Sequence, residues 1–206
     1  MTKFLIINAD DFGYSYSINK GIIEAVEDCV VTSTSVMVNA IAAAEAKDLT
    51  KYPDLSIGLH FELKEVANVG AELKRQIEKF ASMVGRQPDH LDTHKRYTTD
   101  KGIKEVLIAY AKANNIPIRN FNAKHIDSFG INSKDTSIAQ LKRSIDEATN
   151  EYNELMTHCG YADDYLRGHS SYSEPREQEL VSICDPSIKK YIASKDLQLI
   201  NWRQVA

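Results

Sequence analysis

Short apolar or β-branched runs alternate along the chain with segments of helical period, and this alternation most narrows the folds open to it. The runs cover 3–9, 30–38, 55–61, 90–94, 116–121, 155–158 and 197–202 and are read as seven candidate strands. Between them, apolar residues recur at helical spacing: Ile18, Ile22, Ala25, Val26 and Cys29; Leu73, Ile77, Phe80 and Val84; Ile103, Val106, Leu107, Tyr110 and Ala111; Ile138, Leu141, Ile145 and Ala148. Pro175 after Glu174, and Pro186 after Asp185, mark two helix starts, where the missing N–H does no harm. Strand then helix at intervals of about 30 residues signals βα units and a parallel sheet. No linker or low-complexity tract interrupts the pattern, so 1–206 is predicted to be one α/β domain. Periodicity leaves a barrel and an open, doubly wound sheet equally available. In both, reactive residues gather where strands end.

Charge narrows the partners. Lys and Arg number 25 against 29 Asp and Glu, a net of −4, so no basic field exists to hold nucleic acid or anionic lipid, and a small or neutral ligand is expected. Cys29, Cys159 and Cys184 are odd in number and lack C-x-x-C spacing, which argues against a disulfide framework and a cysteine-rich zinc knot. A reducing cytoplasm is the expected setting. The opening "MTKFLIINADD" has too short an apolar run for a secretory leader or membrane span, so a soluble, unexported protein is expected.

Polar residues collect at the ends of the runs. Asp10 and Asp11 follow the first, His60 ends the third, His94 the fourth and His158 the sixth. Taken singly each has a plain reading: an acidic pair can cap a helix, and a histidine at a strand end is commonly a hydrogen-bonded structural residue. Taken together they bring two carboxylates and three imidazoles to one rim. One carboxylate and two imidazoles suit Zn²⁺ or a similar divalent ion with a position left for water, and the second carboxylate can then act as base. The pair is expected in a turn just past the strand, with Gly13 permitting the tight backbone.

The blocks "INADDFGYS", "GIIEAVEDCVVTSTSVMVN", "IGLHFEL", "HLDTH", "HCGYADDYLR" and "SSYSEPREQELVSICDP" resemble, in order from residue 3 to about residue 192, the YdjC-like or ChbG-type carbohydrate deacetylases. The resemblance implies a (β/α) barrel-like fold, an incomplete TIM-type barrel with about seven parallel strands. It implies removal of an N-acetyl group from a small amino sugar, and it allows a homodimer. It maps the base onto Asp10, the metal ligands onto Asp11, His60 and His94, and the general acid onto His158, with Cys159 standing where the family has proline. One divalent ion is implied, Zn²⁺ favoured over Mg²⁺, Mn²⁺ or Co²⁺.

Two further departures bear on the substrate. Arg96 and Thr98 replace later family histidines in "HKRYT", and the stretch after "GLHFEL" is much shorter than usual. Asp92, close to His94, is a candidate to orient its ring through the free N–H, and Arg119 and Arg167 are candidates to contact sugar or Asp10. Tyr14, Phe61 and Tyr161 are candidates to stack on a sugar ring, while His90, His125 and His169 are read as structural. The competing readings are a metal-containing sugar-binding or regulatory relative that does not turn over, and a receiver-like or phosphatase-like site. The second is disfavoured because the third run ends in His60 rather than aspartate and no lysine ends a later run.

Overall fold

The structure, a computed structural model, describes residues 2–63, 68–95, 100–121, 126–131 and 134–205, with every side chain among them except that of Asp127. Arg96, Thr98, His125 and most of the shortened stretch after Leu63 lie outside the described residues. In chain order the elements are Lys3–Phe12 (β1), Tyr16–Asp28 (α1), Ser33–Val36 (β2), Ser56–Phe61 (β3), Val69–Val84 (α2), Leu91–Thr93 (β4), Lys101–Asn114 (α3), Ile126–Gly130 (β5), Ile138–Asp146 (α4), Tyr152–Thr157 (β6), Asp164–His169 (α5), Glu174–Ile183 (α6), Pro186–Ala193 (α7) and Leu197–Leu199 (β7). Short polar side chains start most helices: Ser15, Asn68, Asp100, Ser137, Asp163 and Asp185 each accept a hydrogen bond from a first-turn N–H.

The strands pair in the order β4-β3-β2-β1-β6-β5, all parallel. β7 pairs with the first residues of β1, Lys3–Leu5, while β2 pairs with its last, Asn8–Phe12. The curled sheet stays open between β4 and β5, which is the incomplete barrel implied by the resemblance.

The fifth predicted strand is a correction. Among the described residues, 116–121 make one bridge, Ile118 to Leu91, and the fifth strand in chain order is β5, later in the chain. Pro117 has no N–H to give a ladder, and Asn115 and Asn120, at φ 52° and 67°, turn the backbone at both ends. The segment still lies along β4, since Leu91 N–H donates to Pro117 O (2.8 Å) and Arg119 N–H to Leu91 O (2.9 Å). That seats Arg119 in the gap of the barrel.

The cysteine reading is corrected as well. Cys29 and Cys184, 155 residues apart, form a disulfide joining the C-terminal ends of α1 and α6. Sequence spacing carries no information on a pairing made by helix packing, so the cysteine count says nothing of compartment. Cys159 is free and buried. Among the described residues no helix is long and apolar enough to cross a membrane.

Alternation along the strands builds two environments. Leu5, Ile7 and Ala9 of β1 belong to the main core with Ile18, Ile22 and Ala25 of α1. The inward residues divide by height: Ile6 joins Ile126, Ile200, Trp202 and Val205 in a smaller apolar cluster, whereas Asn8 and Asp10 above it are polar and buried. His90 lies flat on Trp202 (centroids 5.0 Å, 16° between planes), and the ring takes the space that a Cβ on Gly58 would need.

Candidate metal centre and active site

Asp10 and Asp11 lie within β1 and not after it, which corrects the expectation. The register with β2 slips between Ala9 and Phe12, and Asp11 takes φ 73°. This bulge, rather than a turn, lets neighbouring side chains reach one cavity. Gly13, at φ 98°, follows; its N–H donates to Asn19 Oδ1 (2.5 Å), and a Cβ there would press on Met37 O at 3.0 Å.

Asp11 Oδ1 faces His60 Nε2 at 3.1 Å and His94 Nδ1 at 2.9 Å. The three ligand atoms lie within 4.8 Å of one another. Tetrahedral zinc bound at 2.0–2.2 Å needs ligand atoms roughly 3.3 Å apart, so this donor set fits a single divalent ion. His60 is fully buried, and its Nδ1 lies 2.7 Å from Asp92 Oδ1, leaving Nε2 for a metal. Asp92 therefore orients His60. His94 follows β4, its N–H bound to Phe61 O (3.0 Å) and its side chain 21% exposed, on the open side.

Asp10 is held by a fork. Arg119 Nη1 donates to its Oδ2 (2.8 Å) and Nη2 to its Oδ1 (2.7 Å), while Asn8 Nδ2 donates to Oδ1 as well (2.7 Å). Arg119 also reaches Glu154 (Nε–Oε2 2.9 Å) and Asp92 (Nη2–Oδ2 2.8 Å). Asp10, His60 and Asp92 form a second group with metal-like spacing, but the guanidinium already fills its cation role.

The electrostatics complete the fit. Among the described residues Asp10, Asp11, Asp92, Glu154 and, beside His158, Glu179 are buried with two guanidiniums, Arg119 and Arg176, so carboxylates outnumber cations here and a divalent ion would redress the balance. Burial would raise the Asp11 carboxyl, but Arg176, with hydrogen bonds from His60 and His94, holds it well below the usual carboxylate range. Burial likewise opposes charge on Asp10, and Arg119 together with His60 brings its carboxyl below the usual value. His60, which burial would depress, is raised well above the ordinary histidine value by Asp92, Asp10 and Asp11, which favours its protonated form when no metal is bound.

His158 follows β6, β1's neighbour, at the same end of the sheet. Its N–H donates to Glu179 Oε2 (2.7 Å), and its ring stands edge-on to Tyr172 at 5.8 Å. Tyr14 flanks His94 at 5.9 Å between ring centres. Phe61 is fully buried in the core, Tyr161 bonds Glu24 on α1, and Arg167 pairs with Glu174 and Asp164 on the surface, so none of these three joins the cluster. His90 is buried against Trp202, and His169 is exposed and stacked on Tyr165.

Sequence reasoning missed Arg176, Glu154 and Asn8. For Asn8 and Glu154 a signal existed, since each is a polar residue at an inward position of a strand. A cleft of about 1150 Å³ runs along α3 to Trp202 and contains none of these residues.

The description "YdjC-like protein" fits two stretches of this chain, 4–69 and 63–194. The chain belongs to the YdjC-like family. It is 31% identical to a carbohydrate deacetylase of Clostridium beijerinckii over 98% of this chain and 99% of the other. It is 30% identical to a chitooligosaccharide deacetylase of Serratia marcescens, with both chains covered in full. An Enterococcus faecalis V583 protein whose suggested role is cellobiose-phosphate cleavage superposes with a TM-score of 0.89 at 25% identity, both chains covered completely. A Streptococcus mutans CE4 esterase, 14% identical, shares the fold with a TM-score of 0.67 over 97% of this chain and 86% of its own. The Clostridium alignment spans 245 positions against 206 residues here, so at least 39 positions of this YdjC-like alignment have no counterpart in the chain. The two matched stretches meet at 63–69, beside the segment shortened after "GLHFEL".

Proposed function

We propose that the protein is a metal-dependent deacetylase that removes the acetyl group from an N-acetylated amino sugar of the chitooligosaccharide class. The observation that carries this reading is one carboxylate oxygen, Asp11 Oδ1, facing two imidazole nitrogens beside a second carboxylate that Arg119 keeps ionised. Asp11, His60 and His94 would hold the ion, and a carboxylate with two imidazoles favours Zn²⁺ over Mg²⁺, Mn²⁺ or Co²⁺. When bound, such an ion supplies Lewis acidity, polarising an amide carbonyl and making water acidic near neutral pH.

The chain's residues divide the proton work. Asp10, fixed by Arg119 and Asn8, accepts the proton of the attacking water; Oδ2, which among the described residues takes a bond from Arg119 alone, is its less encumbered oxygen. As the new carbon–oxygen bond forms and the carbon–nitrogen bond breaks, His158 gives a proton to the departing amine. The curated relatives that cover nearly the whole chain are carbohydrate and chitooligosaccharide deacetylases, which supports the substrate class. Incubation of the zinc-supplemented protein with N-acetylglucosamine oligomers should release acetate and free amine in equal amounts. Sugar binding without acetate would favour a non-catalytic relative, and neither binding nor acetate would sink the substrate class.

A further inference from the structure

Arg176 is a buried cation at this site to which the deacetylase reading gives no task. It sits in the first turn of α6, 3% exposed, and its Nη2 donates to Asp11 Oδ2 at 2.6 Å. The guanidinium is itself pinned: Nε donates to Tyr172 O (2.8 Å) and Nη1 approaches His158 O at 3.5 Å. The two oxygens of Asp11 thus have separate partners. Oδ1 faces both histidines, and Oδ2 is capped.

We propose that Arg176 is a positioning residue that restricts Asp11 to ligating through one oxygen, so that a coordination position stays open for water and substrate. This rests on the metal-site reading above. A carboxylate beside a divalent ion can chelate with both oxygens and so take two positions, whereas a hydrolytic zinc site with three protein ligands must keep one free. Turning Asp11 to bring Oδ2 round would break a charge-assisted hydrogen bond and strand a guanidinium in a buried place, which is strongly unfavourable. Through His158 O, the same group ties the metal ligand to the strand end that carries the proposed acid. Asp11 and Arg176 are 165 residues apart, which explains why no local motif announced the pair.

X-ray absorption of the zinc-loaded protein reads the ligation directly, because a chelating carboxylate holds its carbon closer to the metal than a one-oxygen ligand does. Wild type should show one-oxygen ligation and one zinc per chain. Arg176→Gln should still bind one zinc, gain a second carboxylate oxygen, and show weaker visible absorption when loaded with cobalt(II), the mark of a higher coordination number. Its turnover should fall on the order of 10–100-fold, chiefly in kcat. Chelation by Asp11 in wild type, or unchanged coordination in a folded Arg176→Gln, would overturn the assignment. If the variant does not fold, the wild-type spectrum still decides. Wild type that binds no zinc overturns the metal-site reading itself.

Discussion

The upper and lower halves of the barrel interior are built from the same strands, one inward step apart, and differ completely. On β1 the step from Ile6 to Asn8 and Asp10 passes from an apolar plug to a charged network. At β4 it runs from His90, just before the strand, whose ring lies against Trp202, to Asp92, which binds His60. The lower half gains by burying apolar surface. The upper half buries charge, which is tolerable only where each group has a partner.

The contrast can be broken from either side. The largest effect should come from His60→Ala, which removes one ligand and the partner of Asp92: bound metal and acetate release are both expected to disappear, as read by metal analysis and an acetate assay. Unchanged metal occupancy would refute the ligand assignment. Asp10→Asn should keep one ion per chain and lose turnover by about 10²–10⁴-fold, the usual worth of a positioned base. Below the network, Trp202→Ala should cost about 3–5 kcal/mol in denaturant unfolding, with metal stoichiometry of the folded fraction unchanged.

The smallest effect concerns pH. Burial, opposed by Asp92, lowers His90 to about 4, so the unfolded chain binds more protons than the folded one between about 6.5 and 4. Stability from this group is complete above the unfolded value and is lost as pH falls through that window, by about 3 kcal/mol at about 1.4 kcal/mol per unit. Wild type should lose more stability than His90→Gln between pH 7 and pH 4. Parallel unfolding curves would show that the ring is not held neutral.

Much of this was legible in the sequence where one local pattern governs. The alternation of strand and helix gave six of the seven strands, though not the extent of the first; the gathering of acids and histidines at one rim was legible in the same pattern, while the set Asp11, His60 and His94, which does cluster, came from the family resemblance. What failed depended on long-range packing. Residues 116–121 have a strand's composition, but Pro117 and two left-handed asparagines limit them to a bridge. Arg176 and the Cys29–Cys184 disulfide arise from docking of α6 against β1 and α1, and short motifs do not carry such information. Asp92 was placed near the right chemistry but with the wrong histidine, because strand pairing sets it opposite His60.

The left-handed backbone at Asp11 restricts what could ever replace it. Aspartate and asparagine enter that conformation far more readily than longer or β-branched residues. Exchanging this ligand for glutamate would thus be resisted by the main chain before any ion was present. Sheet geometry has a vote in the donor chemistry, and it favours the shortest carboxylate.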